Sequence, residues 1–69
     1  MITIIFNNKP ILIAVHSTLQ AFLEKVLDKN TYAFCAAAVN RHFVSRDQHD
    51  KTILREKDVV DIVIPMQGG

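Results

Sequence analysis

The stretch MITIIFNNKPILIAVHSTLQAFLEKVLD, Met1–Asp28, contains two short apolar runs followed by one amphipathic segment. Apolar residues alternate along Met1–Phe6, turn-forming residues follow at Asn7–Pro10, and a second apolar run occupies Ile11–Val15. This pattern predicts a β-hairpin. The hairpin leads directly into a predicted helix, and this order of elements restricts the folds that the rest of the chain can form.

The helix has a clear start signal and one apolar stripe. Ser17 and Gln20 have the spacing of a capping box, which predicts Ser17 as the N-cap. We expect the helix to end near Lys29, with Asn30 as a left-handed C-cap. Its buried positions are predicted to be Leu19, Phe22, Leu23, Val26 and Leu27.

The second half of the chain predicts three more strands, Cys35–Asn40, Phe43–Ser45 and Val59–Ile64. We interpret residues 31–34 as a connection, residues 46–51 as an irregular polar segment and residues 55–58 as a charged turn. A hairpin, one helix and further strands indicate an α+β domain in which a mixed, curled sheet packs on one amphipathic helix. The small side chains of Ala36–Ala38 are expected to let the helix approach closely.

Alternation along the first and last strands assigns side chains to the two faces of the sheet. The face toward the helix is predicted to carry Ile2, Ile4, Phe6, Val60, Ile62 and Ile64. The outer face would carry Thr3, Ile5, Val59, Asp61 and Val63. Because the core does not need the outer apolar residues, we predict that Ile5, Val59 and Val63 form a docking patch. The alternative is that they are ordinary exposed apolar residues.

Composition excludes several classes of protein. The chain has 69 residues, 49% of them hydrophobic, and its formal net charge of +1 is spread along the sequence. We expect no nucleic-acid binding, because no basic patch is visible. We expect no membrane segment, because no apolar run approaches the ~20 residues that a spanning helix needs. The single cysteine fits a reducing compartment, so a cytoplasmic protein is expected.

The two glycines of the chain are Gly68 and Gly69. We expect a domain over residues 1–65 and a short flexible tail over residues 66–69, with Pro65 ending the last strand. Residues without Cβ atoms can thread a narrow channel in an extended conformation. Two terminal glycines therefore suit a slender tail that enters a narrow channel in another protein.

Other reactive side chains do not form a recognisable site in the sequence. Cys35 lies in an apolar stretch and is predicted to pack in the core. His16, His42 and His49 lack metal-ligand spacing and are predicted to be surface residues, so no metal site is expected. Residues 46–50 combine acidic, basic and cationic groups, but we interpret them as a solvated loop.

Three groups of residues resemble a known family. They are Ala38-Val39-Asn40 with Phe43-Val44-Ser45-Arg46, then Lys57-Asp58-Val59-Val60-Asp61-Ile62, and the terminal Pro65-Met66-Gln67-Gly68-Gly69. Together with the chain length, they are similar to the β-grasp, ubiquitin-like sulfur carriers of the ThiS type. Two positions depart from the pattern, because the family commonly has proline where Ser45 stands and often glycine where Arg41 stands.

The resemblance implies a role in thiamin (thiazole) biosynthesis. It implies that a ThiF-like, E1-like adenylyltransferase adenylates Gly69 with ATP. A sulfur donor such as a cysteine desulfurase would then convert Gly69 to a thiocarboxylate, and a ThiG-like thiazole synthase would accept the sulfur. Gly68 would be needed for access, and Gln67 and Met66 would contact the channel mouth. The carrier would bind no cofactor and would not itself be an enzyme.

Two other functions stay open at this point. A small subunit of molybdopterin synthase has a similar fold and also ends in two glycines, although such chains tend to be longer. A ubiquitin-like modifier, or a plain binding module, would use the same fold without sulfur chemistry.

Overall fold

The computed structural model describes residues 1–64, which build a five-stranded mixed sheet packed against a helix. The elements are β1 (Ile2–Phe6), β2 (Lys9–Ile13), α1 (Leu19–Val26), α2 (Lys29–Phe34), β3 (Ala36–Val39), β4 (His42–Val44) and β5 (Val59–Val63). The strand order is β2-β1-β5-β3-β4. β1 and β5 are parallel, and the other neighbouring strands are antiparallel. The predicted α+β architecture is confirmed.

The β1–β2 hairpin turns in two residues rather than four. Asn7 and Asn8 have φ angles of 52° and 64°, the left-handed pair that a type I′ hairpin turn requires. Phe6 therefore pairs directly with Lys9. As a result Lys9 and Pro10, which were assigned to the turn, belong to the edge strand β2.

Helix α1 is capped by Thr18 and not by Ser17. The Thr18 Oγ1 accepts a hydrogen bond of 3.1 Å from the Ala21 backbone N–H. The Ser17 hydroxyl instead donates to the carbonyl oxygen of Ala14 at 2.7 Å, so it is engaged one turn before the helix. The predicted helix is confirmed, but its predicted N-cap is wrong by one residue.

The remaining free N–H groups at the start of α1 are satisfied from a distant segment. Leu19 donates its backbone N–H to the Thr52 carbonyl at 2.8 Å, and Gln20 donates to the His49 carbonyl at 3.0 Å. A helix start needs such partners because its first N–H groups have none within the helix. These bonds attach residues 49–52 to α1.

The connection expected over residues 31–34 is a second helix, α2. Asp28 is its N-cap, and the Asp28 Oδ1 accepts a hydrogen bond of 2.6 Å from the Thr31 N–H. The side-chain and backbone hydrogen bonds from Thr31 lower the pKa of the Asp28 carboxyl group. α1 ends at Val26 and Asn30 lies inside α2, so the prediction of Asn30 as a C-cap is wrong.

The core lies between α1 and the inner face of the sheet. Phe6 and Phe22 meet edge to face, with ring centroids 5.1 Å apart. Two predicted core positions are wrong, because Val26 is 40% exposed and Ile64, past the end of β5, is 50% exposed. The buried hydrophobic residues are Ile4, Phe6, Ile13, Leu19, Phe22, Leu23, Cys35, Ala37, Leu54 and Val60.

Within residues 1–64, neither helix is long and apolar enough to cross a lipid bilayer.

Candidate functional site

The outer face of the sheet is the surface on which a docking patch was predicted from the sequence. β-Strand partners point to the same face, and the register pairs Ile5 with Val59 on one side and with Pro10 on the other. On the other half of the sheet, Ala36 pairs with Val63. The outward positions of the five strands are Thr3, Ile5, Pro10, Leu12, Ala36, Ala38, Phe43, Val59, Asp61 and Val63.

The three predicted docking residues lie on this face with different exposures. Val63 is 66% exposed and Val59 is 37% exposed. Ile5 is only partly exposed, because it lies in β1 between β2 and β5 and its neighbours cover it. Val59 and Ile5 are adjacent across the parallel strands, whereas Val63 lies farther along β5, close in sequence to residues 65–69.

Two further exposed apolar residues of this face were not predicted from the sequence. Phe43 is 70% exposed on β4, and Leu12 is 65% exposed on β2. Phe43 pairs with Ala38, and Leu12 pairs with Thr3. Alternation within each strand contained the signal, but it had been applied only to β1 and β5. The whole outer face is therefore more apolar than the three predicted residues alone.

The predicted tail residues Met66, Gln67, Gly68 and Gly69 lie outside the described residues, as does the domain boundary at Pro65. The described chain reaches Ile64, one residue past the end of β5. β5 is the middle strand of the sheet. The strand that leads to the tail thus also supplies Val59, Asp61 and Val63 to the outer face.

His49, predicted as a surface residue, is buried with 1% of its surface exposed. Its Nε2 lies 3.1 Å from the Val44 carbonyl oxygen, and its Nδ1 lies 2.8 Å from the Tyr32 hydroxyl. A carbonyl oxygen can only accept, so Nε2 carries a proton and donates to the Val44 carbonyl; in a neutral ring, Nδ1 then accepts from the Tyr32 hydroxyl. Burial raises the pKa of the Tyr32 phenol. Both ring nitrogens are used for folding, which leaves neither free for catalysis.

Arg46 closes the C-terminal end of α2. Its guanidinium nitrogen Nη2 donates to the carbonyl oxygens of Tyr32, Ala33 and Cys35 at 2.8, 3.0 and 3.0 Å. The guanidinium group also lies 4.9 Å from the centroid of the Tyr32 ring. Helix C-termini attract cations because their last carbonyls lack partners. The segment 46–50 is therefore held in place by these contacts. Four of its five residues are exposed, as predicted for a solvated segment, whereas His49 is buried and Arg46–Gln48 form a short 3-10 helix.

Asn40 joins two parts of the sheet. Its side chain donates to Asp58 Oδ1 and accepts from the Val59 N–H, each at 3.0 Å, and its backbone N–H donates to the Val59 carbonyl at 2.7 Å. Asn40 and Arg46 both belong to the sequence pattern that carries the family resemblance. Their contacts show that these two positions of the pattern stabilise the fold.

The remaining reactive side chains do not assemble into a site. Cys35 is buried in the core, as predicted. His16 and His42 are exposed, also as predicted. In the part of the chain that the structure describes, no group of three or more His, Cys, Asp or Glu side chains could hold a metal ion.

Comparisons with known proteins agree with this fold. A crystal structure of the thiamine biosynthesis protein (ThiS) from Geobacter metallireducens superposes with a TM-score of 0.83, at 20% identity, over 99% of this chain and 100% of that chain. A solution NMR structure of a thiamine biosynthesis protein from the same organism gives a TM-score of 0.74, at 21% identity, over 99% and 88% of the two chains. At such identities, these likenesses show a common fold.

No curated protein gives a significant match by sequence. The model of the ThiS family, however, matches residues 4–69, which include every strand from β2 to β5, most of β1 and the last residues of the chain. A match of this extent shows the family. The chain therefore belongs to the ThiS family of β-grasp sulfur carriers.

Proposed function

We propose that this protein carries sulfur for thiamin biosynthesis as a thiocarboxylate on Gly69. The observation that supports the proposal most strongly is the family match, which extends to Gly69 itself. The reacting group in this proposal is the α-carboxylate of Gly69. The protein is then a co-substrate of other enzymes.

The proposed chemistry begins with activation of a poor electrophile. The Gly69 carboxylate attacks the α-phosphorus of ATP in a partner adenylyltransferase, pyrophosphate leaves, and an acyl-adenylate forms. Hydrosulfide then attacks the acyl carbon, its C–S bond replaces the C–O bond to AMP, and loss of a proton leaves the thiocarboxylate. Where the donor is a protein persulfide, an acyl disulfide forms instead, and a thiol reductant must cleave its S–S bond to release the thiocarboxylate. The thiocarboxylate sulfur is finally transferred in the reaction of a thiazole synthase.

The roles of the last residues follow from the shape of their side chains. Gly68 and Gly69 have no Cβ atom, so they can pass a constriction that other residues would block. Met66 and Gln67 are proposed to contact the mouth of that channel. The docking surface proposed for the partner is the outer face of the sheet, with Ile5, Val59 and Val63 among its residues.

The test is the intact mass of the purified protein after incubation with ATP, a ThiF-like adenylyltransferase and a sulfur source. We expect an increase equal to the mass difference between sulfur and oxygen. Gly68→Val should abolish this increase and leave the unfolding temperature unchanged. Ala21→Val, on the exposed side of α1, is the matched control and should react normally. An unmodified mass for the wild-type protein, where another ThiS protein reacts, would contradict the proposal.

Docking is tested separately from the chemistry of the tail. Val63→Asp puts a charge into the exposed apolar face and should weaken binding to the adenylyltransferase, because its desolvation is unfavourable. Val26→Asp, on the exposed side of α1, should leave binding unchanged. Equal affinities for the two variants in isothermal titration calorimetry would remove Val63 from the docking surface.

A further inference from the structure

The outer face of the sheet contains a shallow depression of about 90 Å³. Its floor is β3, where Ala36 and Ala38 point outward and are partly exposed. Only Ala37 of the three alanines is buried toward the helix. The expectation that all three allow a close approach of the helix is therefore correct for Ala37 alone. The other two leave a gap on the opposite face.

Two exposed apolar side chains flank this gap. Phe43 lies on β4 directly opposite Ala38, and Val63 lies on β5 directly opposite Ala36. Partners across a strand pair have Cβ atoms about 5 Å apart, so a larger residue at Ala38 would fill the depression. A volume of about 90 Å³ suits one aliphatic side chain from another protein.

Asp61 gives the same surface a charge. It is the one ionisable residue among the outward positions of the five described strands, and it is exposed. It is also the middle residue of β5, the middle strand of the sheet. Asp61 is among the residues that line the depression, and its position at the centre of the face is where docking removes water most completely. A carboxylate desolvated without a partner is strongly unfavourable.

This charge argues against a second copy of the chain as the occupant. Stacking two outer faces about a twofold axis would bring two Asp61 carboxylates to the centre of one interface. The outward strand positions offer no cation to either of them. Like charges in that position oppose association. A partner with a basic residue removes the conflict.

We propose that the enzyme that docks on this face presents an arginine or lysine to Asp61, beside one apolar side chain that enters the depression between Phe43 and Val63. This inference rests on the proposed function, because it describes the surface of the adenylyltransferase that activates Gly69. It adds a specific chemistry to the docking surface: a cation next to an apolar anchor. Arginine is the more suitable cation, since its fork can bind both carboxylate oxygens.

Calorimetric titration of the full-length variants against the purified ThiF-like adenylyltransferase tests the proposal. Loss of one member of a desolvated charge pair should weaken binding about tenfold for Asp61→Asn, and about a hundredfold for the reversed charge in Asp61→Lys. The same changes at the exposed Asp50, Asp50→Asn and Asp50→Lys, should alter the dissociation constant by less than about twofold. High salt should weaken the wild type more than Asp61→Asn.

A larger side chain at position 38 tests whether the depression accepts a side chain of the partner. Ala38→Leu should weaken binding about tenfold or more, because a filled pocket excludes the anchor. Ala21→Leu, on the exposed side of α1, is the matched control and should bind as the wild type does. Thermal unfolding of each variant verifies that the sheet is intact.

Two negative results are distinguishable. If the wild-type protein is adenylated and bound, while Asp61→Lys and Ala38→Leu bind equally well, this inference is overturned and the sulfur-carrier proposal stands. If the wild-type protein neither binds nor gains sulfur, both are overturned together.

Discussion

Single residues in left-handed conformations explain how residues 1–64 make their turns without glycine. Asparagine tolerates positive φ because its short polar side chain can bond locally. Arg41, at φ 69°, has no such advantage, and it stands where the family pattern often has glycine. The residues with positive φ are Asn7, Asn8, His16, Asn40, Arg41 and Lys57.

Arg41→Gly is therefore expected to stabilise the protein. Removing the Cβ from a left-handed position should gain about 0.5–1 kcal/mol in the free energy of unfolding, after the extra backbone entropy of glycine is counted. Arg55→Gly is the matched control, because Arg55 does not have a positive φ, and it should be destabilising. Urea denaturation measures both. A loss of stability in Arg41→Gly would contradict the strain argument.

Ser45, the other departure from the family pattern, already has the backbone of a proline. Its φ is −66°, the angle that a proline ring imposes, and the preceding residue, Val44, is in a strand, as proline prefers. Ser45→Pro should raise the free energy of unfolding by about 0.4–1 kcal/mol. Loss of the exposed hydrogen bond from Ser45 to Asp47 reduces this gain. A lower melting temperature than that of Ser45→Ala would refute this expectation.

At the scale of elements, α2 shows what local sequence could not predict. Its residues KNTYAF lack an apolar stripe, so no helical period was visible. The contacts that hold its C-terminal end come from Arg46, 11 to 14 residues further along the chain. The burial of His49 could not be predicted for a similar reason, because its partner Tyr32 is 17 residues away. Strand alternation and the α1 stripe were predictable because they repeat over neighbouring residues.

The Tyr32–His49 bond should contribute to stability at neutral pH. Tyr32→Phe leaves the buried His49 Nδ1 without its donor, and we expect a loss of about 1–3 kcal/mol in the free energy of unfolding. Ser17→Ala removes an exposed hydroxyl group bonded to a carbonyl and should be less costly. Urea denaturation of both variants near pH 7 checks the difference, and equal losses would contradict it.

The comparison of the wild type with Tyr32→Phe also predicts that the stability contributed by Tyr32 depends on pH in the alkaline range. Because burial raises the pKa of Tyr32 in the folded state, its contribution is complete below the ordinary phenol pKa of about 10 and is lost as pH rises through the higher folded value. The stability difference between wild type and Tyr32→Phe should therefore shrink above about pH 10. A difference that stays constant to pH 11 would argue against a buried phenol.

At the scale of the whole molecule, the inner face of the sheet packs in the core, and docking is proposed for the outer face. The inner face and α1 could be predicted from periodicity, and so could the apolar character of β5's outer face. The extent of the outer face was missed because alternation was not applied to β2 and β4, although Leu12 and Phe43 pair within local hairpins. The pairing of β5 with β1 and β3, which joins the two hairpins into one face, connects strands distant in sequence and could not be predicted locally. The tail stays a prediction from the two terminal glycines and the family resemblance, and it lies outside the described residues.

This division of tasks can be measured with two substitutions. Leu23→Ala, in the fully buried stripe of α1, should lower the free energy of unfolding by about 2–5 kcal/mol. Phe43→Ser, on the outer face, should change it by less than about 0.5 kcal/mol, and yet weaken docking of the adenylyltransferase. A strongly destabilised Phe43→Ser variant would mean that the outer face belongs to the core.

Pro10 hinders strand pairing at one edge of the sheet. It lies in β2, an edge strand of the sheet, next to Lys9, and it has no N–H to offer to an approaching strand. The opposite edge, β4, is three residues long. Growth into a continuous fibre through edge pairing needs two open edges on every copy, and Pro10 hinders pairing at one of the two edges of the described sheet. A carrier for which an apolar docking surface is proposed is thereby less prone to aggregate through its own strands.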